Sequence, residues 1–483
     1  MSLSARQVNP GSFVTAKHYY PRQLNAQLHP MVSLFFNLGR DRIAERYRHL
    51  NPHIKPEAID ELLNYRCRYL PWAGCDLFLT TSARGARKMV VIETNSCPSG
   101  QKSMPLTDEH EERGGYLRLL SRAFKPRLKG KRLPEGGIAL LYDKNPMEAT
   151  GYAATLAAVM KEPVWLAEYY EDDDNPPVKF VEGVLYVRDE SEQWHPIRAA
   201  QRYVTQRPWN RLPINTQTHI MNPILGCLAG GRNKLVADYA YADFNATNWE
   251  SNLHLNLPET DRDVPKRLVP NAVRRFGGFA VVKVPYSNAG QGVYTITDDQ
   301  DLEEFMAIDF PYDHFIVQSL IGNSAWSSLT GGERFFHVGT MPNKKLNTYV
   351  ADLRMMVCNH PKEGFQPVAA YARQAAAPLT AELNPGDDSR AQLVTNLSFK
   401  NPDGSWNSDV DRLLLMDRKD FNLLGLSNDD LISAFFQTCM AVKAIDELAR
   451  SLKTTKGTFR WKTFESINPD DDLIAEIRAG NPA

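Results

Sequence analysis

Charged residues set inside otherwise apolar, β-branched runs constrain this chain more than any other feature of its sequence. FAVVKV (279–284) carries Lys283, and YVADLRMMV (349–357) carries Asp352 and Arg354, in runs whose composition predicts buried strands. An unpaired buried charge is very costly, so Arg354 has to meet a phosphate, a substrate carboxylate or an internal salt-bridge partner. A third run, VVIETN (90–95), ends in Glu93 and Asn95. Residues two apart on a strand project toward the same side. A carboxylate and an amide oxygen on one face suffice as protein anchors for magnesium, which keeps waters or phosphate oxygens for the rest. Asp76, on the neighbouring run CDLFLTTS (75–82), is the candidate third ligand. The plainer alternative is that Glu93 and Asn95 only shape the turn into CPSG.

The 483 residues give room for two or three packed units, since one hydrophobic core rarely grows past about 250–300 residues. Residues 1–130 are expected to begin with helices, over 31–47 and 56–70, and to continue into the strand pair 75–82 and 88–95. Residues 131–262 show the β-α-β rhythm of a parallel sheet: GIALLY (137–142), a Gly/Ala-rich helix over 148–161, and PVWLA (163–167). Residues 263–483 end in an amphipathic helix over 428–450, with Ser427 and Asp430 at capping-box spacing. The expected class is therefore α+β with an α/β portion.

Lys+Arg at 56 against Asp+Glu at 57 gives a formal charge of −1, so no global field draws the chain to nucleic acid or to an acidic membrane surface. No apolar run approaches the ~20 residues that span a bilayer. The opening MSLSARQVNPGSF lacks a basic segment followed by an apolar one, so a cytoplasmic protein is expected. The six cysteines form no CxxC pair and are expected to be reduced. Cys97, in ETNSCPSGQ, has no adjacent His or acid and reads as a packing residue.

The run after Lys283, PYSNAGQG, holds Ser287, Gly290 and Gly292. A hairpin tip without side chains lets backbone N–H groups close over phosphates, while a strand lysine reaches their oxygens. GxxxxGK[ST] occurs nowhere, so this is not a Walker A loop. HFIVQSLIG (314–322) offers the backbone from Gln318 to Leu320 as a hinge against a purine, and Arg373 and VTNLSF (394–399) add a cation and Asn396.

In this order, K…GxG, Q, DxR, R and TN resemble the nucleotide half of the ATP-grasp superfamily, which binds ATP between two α+β lobes. The metal-binding ExN usually comes last; here CDLF…VVIETNSCPSG comes first. That order is similar to the circularly permuted ATP-grasp group that includes glutathionylspermidine synthetase-like amide ligases. NPILGCLAGGRNKLVADYA (222–240) resembles the stretch that closes a Rossmann-like pre-ATP-grasp domain, and maps its nucleotide-holding lysine onto Lys234. The resemblance runs from about residue 70 to about residue 400.

It implies a carboxylate–amine ligase that uses ATP and Mg2+ and works through an acyl phosphate, with an amino acid or short peptide as substrate. By the same resemblance, Lys234, Lys283, Ser287, Gly290, Gly292, Gln318 and Leu320 hold the nucleotide. Asp76, Glu93, Asn95 and Asn396 hold the metal, Arg354 steadies the transferring phosphoryl group, and Arg373 serves the acyl phosphate or substrate carboxylate. It further implies 1–130 as helices plus permuted metal-binding strands, 131–262 as the pre-ATP-grasp domain and 263–483 as the nucleotide-binding lobes with the C-terminal helix; a homo-oligomer is compatible with this organisation. There are two departures: PWAGCD lacks the arginine that the permuted group commonly has before its aspartate, and KTFESINPD (462–470) offers Glu465 and Asn468 as rival metal ligands. A phosphotransferase, or a catalytically degenerate nucleotide-binding scaffold, is the alternative reading.

Overall fold

The computed structural model describes residues 3–108, 110–171, 173–286, 292–384, 386–400 and 406–481. The N-terminal helical pattern is present but interrupted. Pro30–Asn37 and Arg40–Leu50 are separate helices, because Gly39 takes φ 80° between them, a left-handed value that suits glycine. The next helix, Pro56–Asn64, stops short of the expected residue 70. Its continuation is drawn off by a buried carboxylate: Asp446 accepts the backbone N–H groups of Arg68 (3.0 Å), Tyr69 (2.6 Å) and Leu70 (2.8 Å), and the hydroxyl of Tyr65 (2.8 Å). Three convergent N–H donors on one carboxylate outcompete another helical turn.

Asp446 belongs to the long helix Asn428–Ser451, which starts where the sequence places it, on a capping box formed by Ser427 and Asp430. The helix packs on the strands Trp72–Ser82, Arg87–Ser96 and Ala351–His360 and carries the N-terminal helices on its other side. Tyr47 stacks on Phe436 at 3.7 Å between ring centres there.

Three main sheets follow. A mixed sheet contains the expected parallel unit: Gly137–Tyr142 runs parallel to Val164–Glu168 and to Trp194–Tyr203, with the helix Pro146–Met160 between the first two in sequence. A four-stranded antiparallel sheet has the order Thr260–Pro265, His314–Ser319, Ala280–Lys283, Val293–Ile296. Its apolar face forms a core of its own with Val269, Val273, Phe276 and Phe305. The third sheet, also antiparallel, joins distant parts of the chain. Trp72–Ser82 pairs with Arg87–Ser96 on one edge, and with Ala351–His360 and Glu333–His337 on the other; Gly364–Gln374 lies beyond Ala351–His360.

The class is thus α+β with a parallel α/β portion, as the alternation of patterns predicts. No helix among the described residues is long and apolar enough to cross a membrane. All six cysteines are free and buried.

Candidate active site

The small antiparallel sheet and the third, larger one face each other across an open cleft. Val281, Lys283, Val293, Thr295 and Gln318 line it from the small sheet; Asp76, Phe78, Glu93, Asp352 and Arg373 line it from the large one. Lys234, Asn396, Thr395 and His337 complete the walls. A narrower extension is shared by Glu93, Lys234, Lys283, Gln318, Arg232 and Asp238.

The strand pairing explains how Glu93 reaches this cleft. Glu93 lies opposite Asp76 and Asn95 opposite Gly74, so both face the same side, as their spacing predicts. Thr94 turns the other way, where its hydroxyl accepts a hydrogen bond from Tyr241 at 2.7 Å. Glu93 is partly exposed in the cleft, 3.8 Å from Nζ of Lys234. Asn95 is buried, does not line the cleft, and has an Nδ2 without a partner.

Lys234 is the first residue of the helix Lys234–Thr247, capped by Asn233, whose side chain accepts from the N–H of Val236 at 3.2 Å. Two contacts fix that helix start. Its Lys234 N–H donates to the carbonyl of Pro285 at 3.0 Å, and Gly231 just before it leaves no room for a side chain, since a Cβ there would meet Ser96 at 2.6 Å. Lys283 comes in from the middle of the cleft's small-sheet wall, 7% exposed. Burial pushes Lys283 down from the usual 10.5 to about 8, opposed by Glu93 and Asp238 and helped by Lys234. Burial lowers Lys234 too, again against the pull of Glu93. Two desolvated ammonium groups sharing a carboxylate make a site short of negative charge, and an anion would relieve it.

Arg354, Arg373, Asp76 and Asp352 form a buried network. Arg354 is bidentate to Asp76 (Nε–Oδ1 2.6 Å, Nη2–Oδ2 2.7 Å) and also donates to the hydroxyl of Tyr371 at 3.1 Å. Arg373 reaches Asp76 at 2.9 Å and pairs with both oxygens of Asp352, Nε–Oδ1 at 3.0 Å; its Nη1 donates to Oδ1 of Asn396 at 3.3 Å. Burial would raise the Asp76 carboxyl, but Arg354 and Arg373 hold it well below the usual carboxylate range. Of the partners open to Arg354 in the sequence, the structure supplies the internal salt bridge. Arg354 lies outside the cleft lining while Arg373 lies in it, and both oxygens of Asp76 are taken by guanidinium groups.

Gln318 lines the cleft, but Leu320 is buried and both of its backbone groups go to Ser328: its N–H donates to Oγ at 2.7 Å and its carbonyl accepts from the Ser328 N–H at 3.0 Å. That leaves its backbone committed within the protein. Gly292 has φ 65°, and its carbonyl accepts from the N–H of Val284 at 2.8 Å, closing the hairpin as a left-handed residue. Ser287 and Gly290 lie outside the described residues. The rival metal pair does not converge: Glu465 pairs with Arg478, while Oδ1 of Asn468 accepts from Asn233 (2.8 Å) and Tyr286 (2.7 Å). Cys97 is fully buried and donates its S–H to the carbonyl of Arg202 at 2.9 Å, a packing residue as expected.

Sequence reasoning missed Arg232, Asp238 and Thr295. Arg232 and Asp238 flank Lys234 within a few positions, which is a usable signal. His337, a lone histidine at the end of the strand Glu333–His337, also lines the cleft, and burial brings it from 6.5 to about 3, so its ring is neutral.

No family model matches the sequence, and no curated protein matches it. Solved structures with some likeness include a glutathione synthetase-like effector from Globodera pallida, at 10% identity and a TM-score of 0.39, covering 71% of this chain and 82% of that one. Others are a RimK-domain ATP-grasp protein from Sphaerobacter thermophilus (12%, TM-score 0.30, covering 51% and 92%) and D-alanyl-alanine synthetase A from Vibrio cholerae (10%, 0.27, 50% and 89%). Likeness at this level leaves the reaction to be read from the residues of the cleft.

Proposed function

We propose that this chain is a circularly permuted ATP-grasp enzyme that joins a carboxylate to an amine at the expense of ATP, through an acyl phosphate. One observation carries the reading. Glu93, Lys234, Lys283, Gln318, Arg373 and Asn396, drawn from segments far apart in sequence, line one cleft between two antiparallel sheets. The permuted order is supported by the pairing of the early hairpin, Trp72–Ser82 with Arg87–Ser96, to the late strand Ala351–His360.

In this reading Lys234 and Lys283 take the phosphate chain of ATP, which supplies the negative charge that their burial calls for. The donor set suits magnesium: a partly exposed carboxylate, Glu93, and the amide of Asn396 in the same cleft. Glu93 would hold the ion with Asn396, which lines the cleft; Asn95, buried behind it with an N–H2 rather than an oxygen left unpartnered, is not among the ligands. Bound there, magnesium would neutralise charge on the β- and γ-phosphates. Arg373, in the cleft wall, stabilises charge on the transferring group and then on the acyl phosphate, and Asp352 and Asp76 fix its planar fork in place. Arg354 acts at one remove, by holding Asp76. The ligand role that the resemblance gave Asp76 passes to Glu93 and Asn396.

An amine then attacks the acyl phosphate and phosphate leaves. The cleft's part is positioning and exclusion of water, to which acyl phosphates are lost. Amino acids or short peptides are the proposed substrates.

The test is ADP release measured across pairs of amino acids, with each member of a pair also tested alone. ADP formed only when acid and amine are both present supports the ligase. A stable phosphorylated product would make the protein a phosphotransferase, and no turnover with intact ATP binding would make it a scaffold. In Glu93→Ala, magnesium-dependent ATP binding should be lost; unchanged turnover would remove Glu93 from the metal site.

A further inference from the structure

The cleft holds two buried polar side chains whose hydrogen-bonding capacity is only partly spent, and neither belongs to the phosphate-binding or metal-binding set. Oε1 of Gln318 is buried without a hydrogen-bond partner among the described residues, and so is the ring nitrogen of His337 that faces away from the Ile321 carbonyl. His337 is 5% exposed. A buried polar atom left without its bond is costly, so two of them lining one cleft call for a ligand that completes them.

Their chemistry can be read from their surroundings. Nε2 of Gln318 donates to Oγ1 of Thr260 at 2.9 Å. The Thr260 hydroxyl gives its own proton to an acceptor, the Pro258 carbonyl at 3.0 Å, with the Asp238 carboxylate also beside it. Oγ1 must therefore receive a proton from Gln318, which pins the amide with nitrogen toward Thr260 and leaves Oε1 as a fixed acceptor. The His337 ring is wedged edge-on against Phe78, 4.5 Å between ring centres, where its own backbone N–H donates to the Gly322 carbonyl at 3.0 Å. The carbonyl of Ile321 beside the ring favours an N–H on that side, so the other nitrogen of the neutral imidazole is an acceptor. The apolar lining around them, Phe78, Val281, Ile321 and Leu393, suits a flat ring.

From this geometry we infer that Gln318 and His337 together read an exocyclic amino group on the nucleobase, as at C6 of adenine, and reject a carbonyl at the same position. The inference rests on the cleft being a nucleotide site. It moves base recognition from the backbone of Leu320, which Ser328 has already saturated, to two side chains. Two acceptors facing an amino group make two bonds; two acceptors facing a carbonyl oxygen make none and repel it. A site built to bond a ligand N–H rejects the analogue that lacks it strongly.

The test is calorimetric binding of ATP and of inosine triphosphate, which has a carbonyl at C6 and a proton on N1 where ATP has an amino group and a bare N1, to the protein with magnesium. Tighter binding of ATP by on the order of 10- to 100-fold is expected. In His337→Leu and Gln318→Leu that ratio should shrink through loss of ATP affinity, with inosine triphosphate affinity held within about 2-fold. Equal binding of the two nucleotides by the wild type overturns the inference and leaves the nucleotide site standing; it needs no variant to fold. Absence of binding by both would instead remove the nucleotide reading beneath it. An unchanged ratio in both variants, with melting curves showing folded protein, also overturns it.

Discussion

Replacing Lys283 with methionine should make the protein more stable while weakening its hold on nucleotide. Lys283 is 7% exposed, and burial lowers it from 10.5 to about 8. A displacement of that size corresponds to about 3 kcal/mol of folding free energy, at 1.36 kcal/mol per pH unit. The sign follows from the direction. The folded protein binds this proton less tightly than the unfolded chain, so the penalty is fully present below pH 8 and is relieved as the pH rises from about 8 toward 10.5. Methionine keeps the length and apolar character of the stem, and Glu93 retains Lys234 at 3.8 Å. Denaturant unfolding of wild type and Lys283→Met, at pH 7 and again at pH 10, is the measurement. The variant should gain up to about 3 kcal/mol at pH 7 and much less at pH 10. Calorimetry should show ATP affinity lowered about 10- to 100-fold in the variant, as for the loss of a charged hydrogen bond. A variant less stable than wild type at both pH values would refute the reasoning, because Lys283 would then be contributing a net favourable ion pair and the site would not be short of negative charge.

Three other outcomes follow from the geometry. ATP affinity of the wild type should be highest below pH 8 and decline as the pH rises through that value, since only the protonated Lys283 pairs with phosphate; a flat profile from pH 7 to 9.5 in calorimetry would contradict this. Asp76→Asn leaves Arg354 without its carboxylate and Arg373 with Asp352 alone, and should cost about 3–5 kcal/mol in denaturant unfolding, whereas a residue that served only as a metal ligand would leave stability unchanged. Asp446→Ala strands three backbone N–H groups and the Tyr65 hydroxyl, and should cost at least about 3 kcal/mol; loss of under 1 kcal/mol would show that the segment 68–70 finds other acceptors.

Much of this was written locally in the chain. The capping box at Ser427 and Asp430, the strand GIALLY and the one-face placement of Glu93 and Asn95 depend on backbone periodicity and on neighbours within four residues, so the sequence by itself determined them. The need for Arg354 to find a partner was equally legible, because no arrangement tolerates a lone guanidinium inside a sheet. Which partner it found was not. Asp76 faces Arg354 only because strands from opposite parts of the chain pair in one register, and a shift of one residue would have turned both away. The end of the helix at Asn64 was decided in the same way, by a carboxylate on a helix near the C-terminus. So was the state of Lys283: the sequence placed a lysine on a strand, and the packing of two sheets around it removed the water that sets its charge. The role of His337 carries no signal in sequence because it lies in what the ring fails to touch, and unmade hydrogen bonds exist only once every neighbour has been placed.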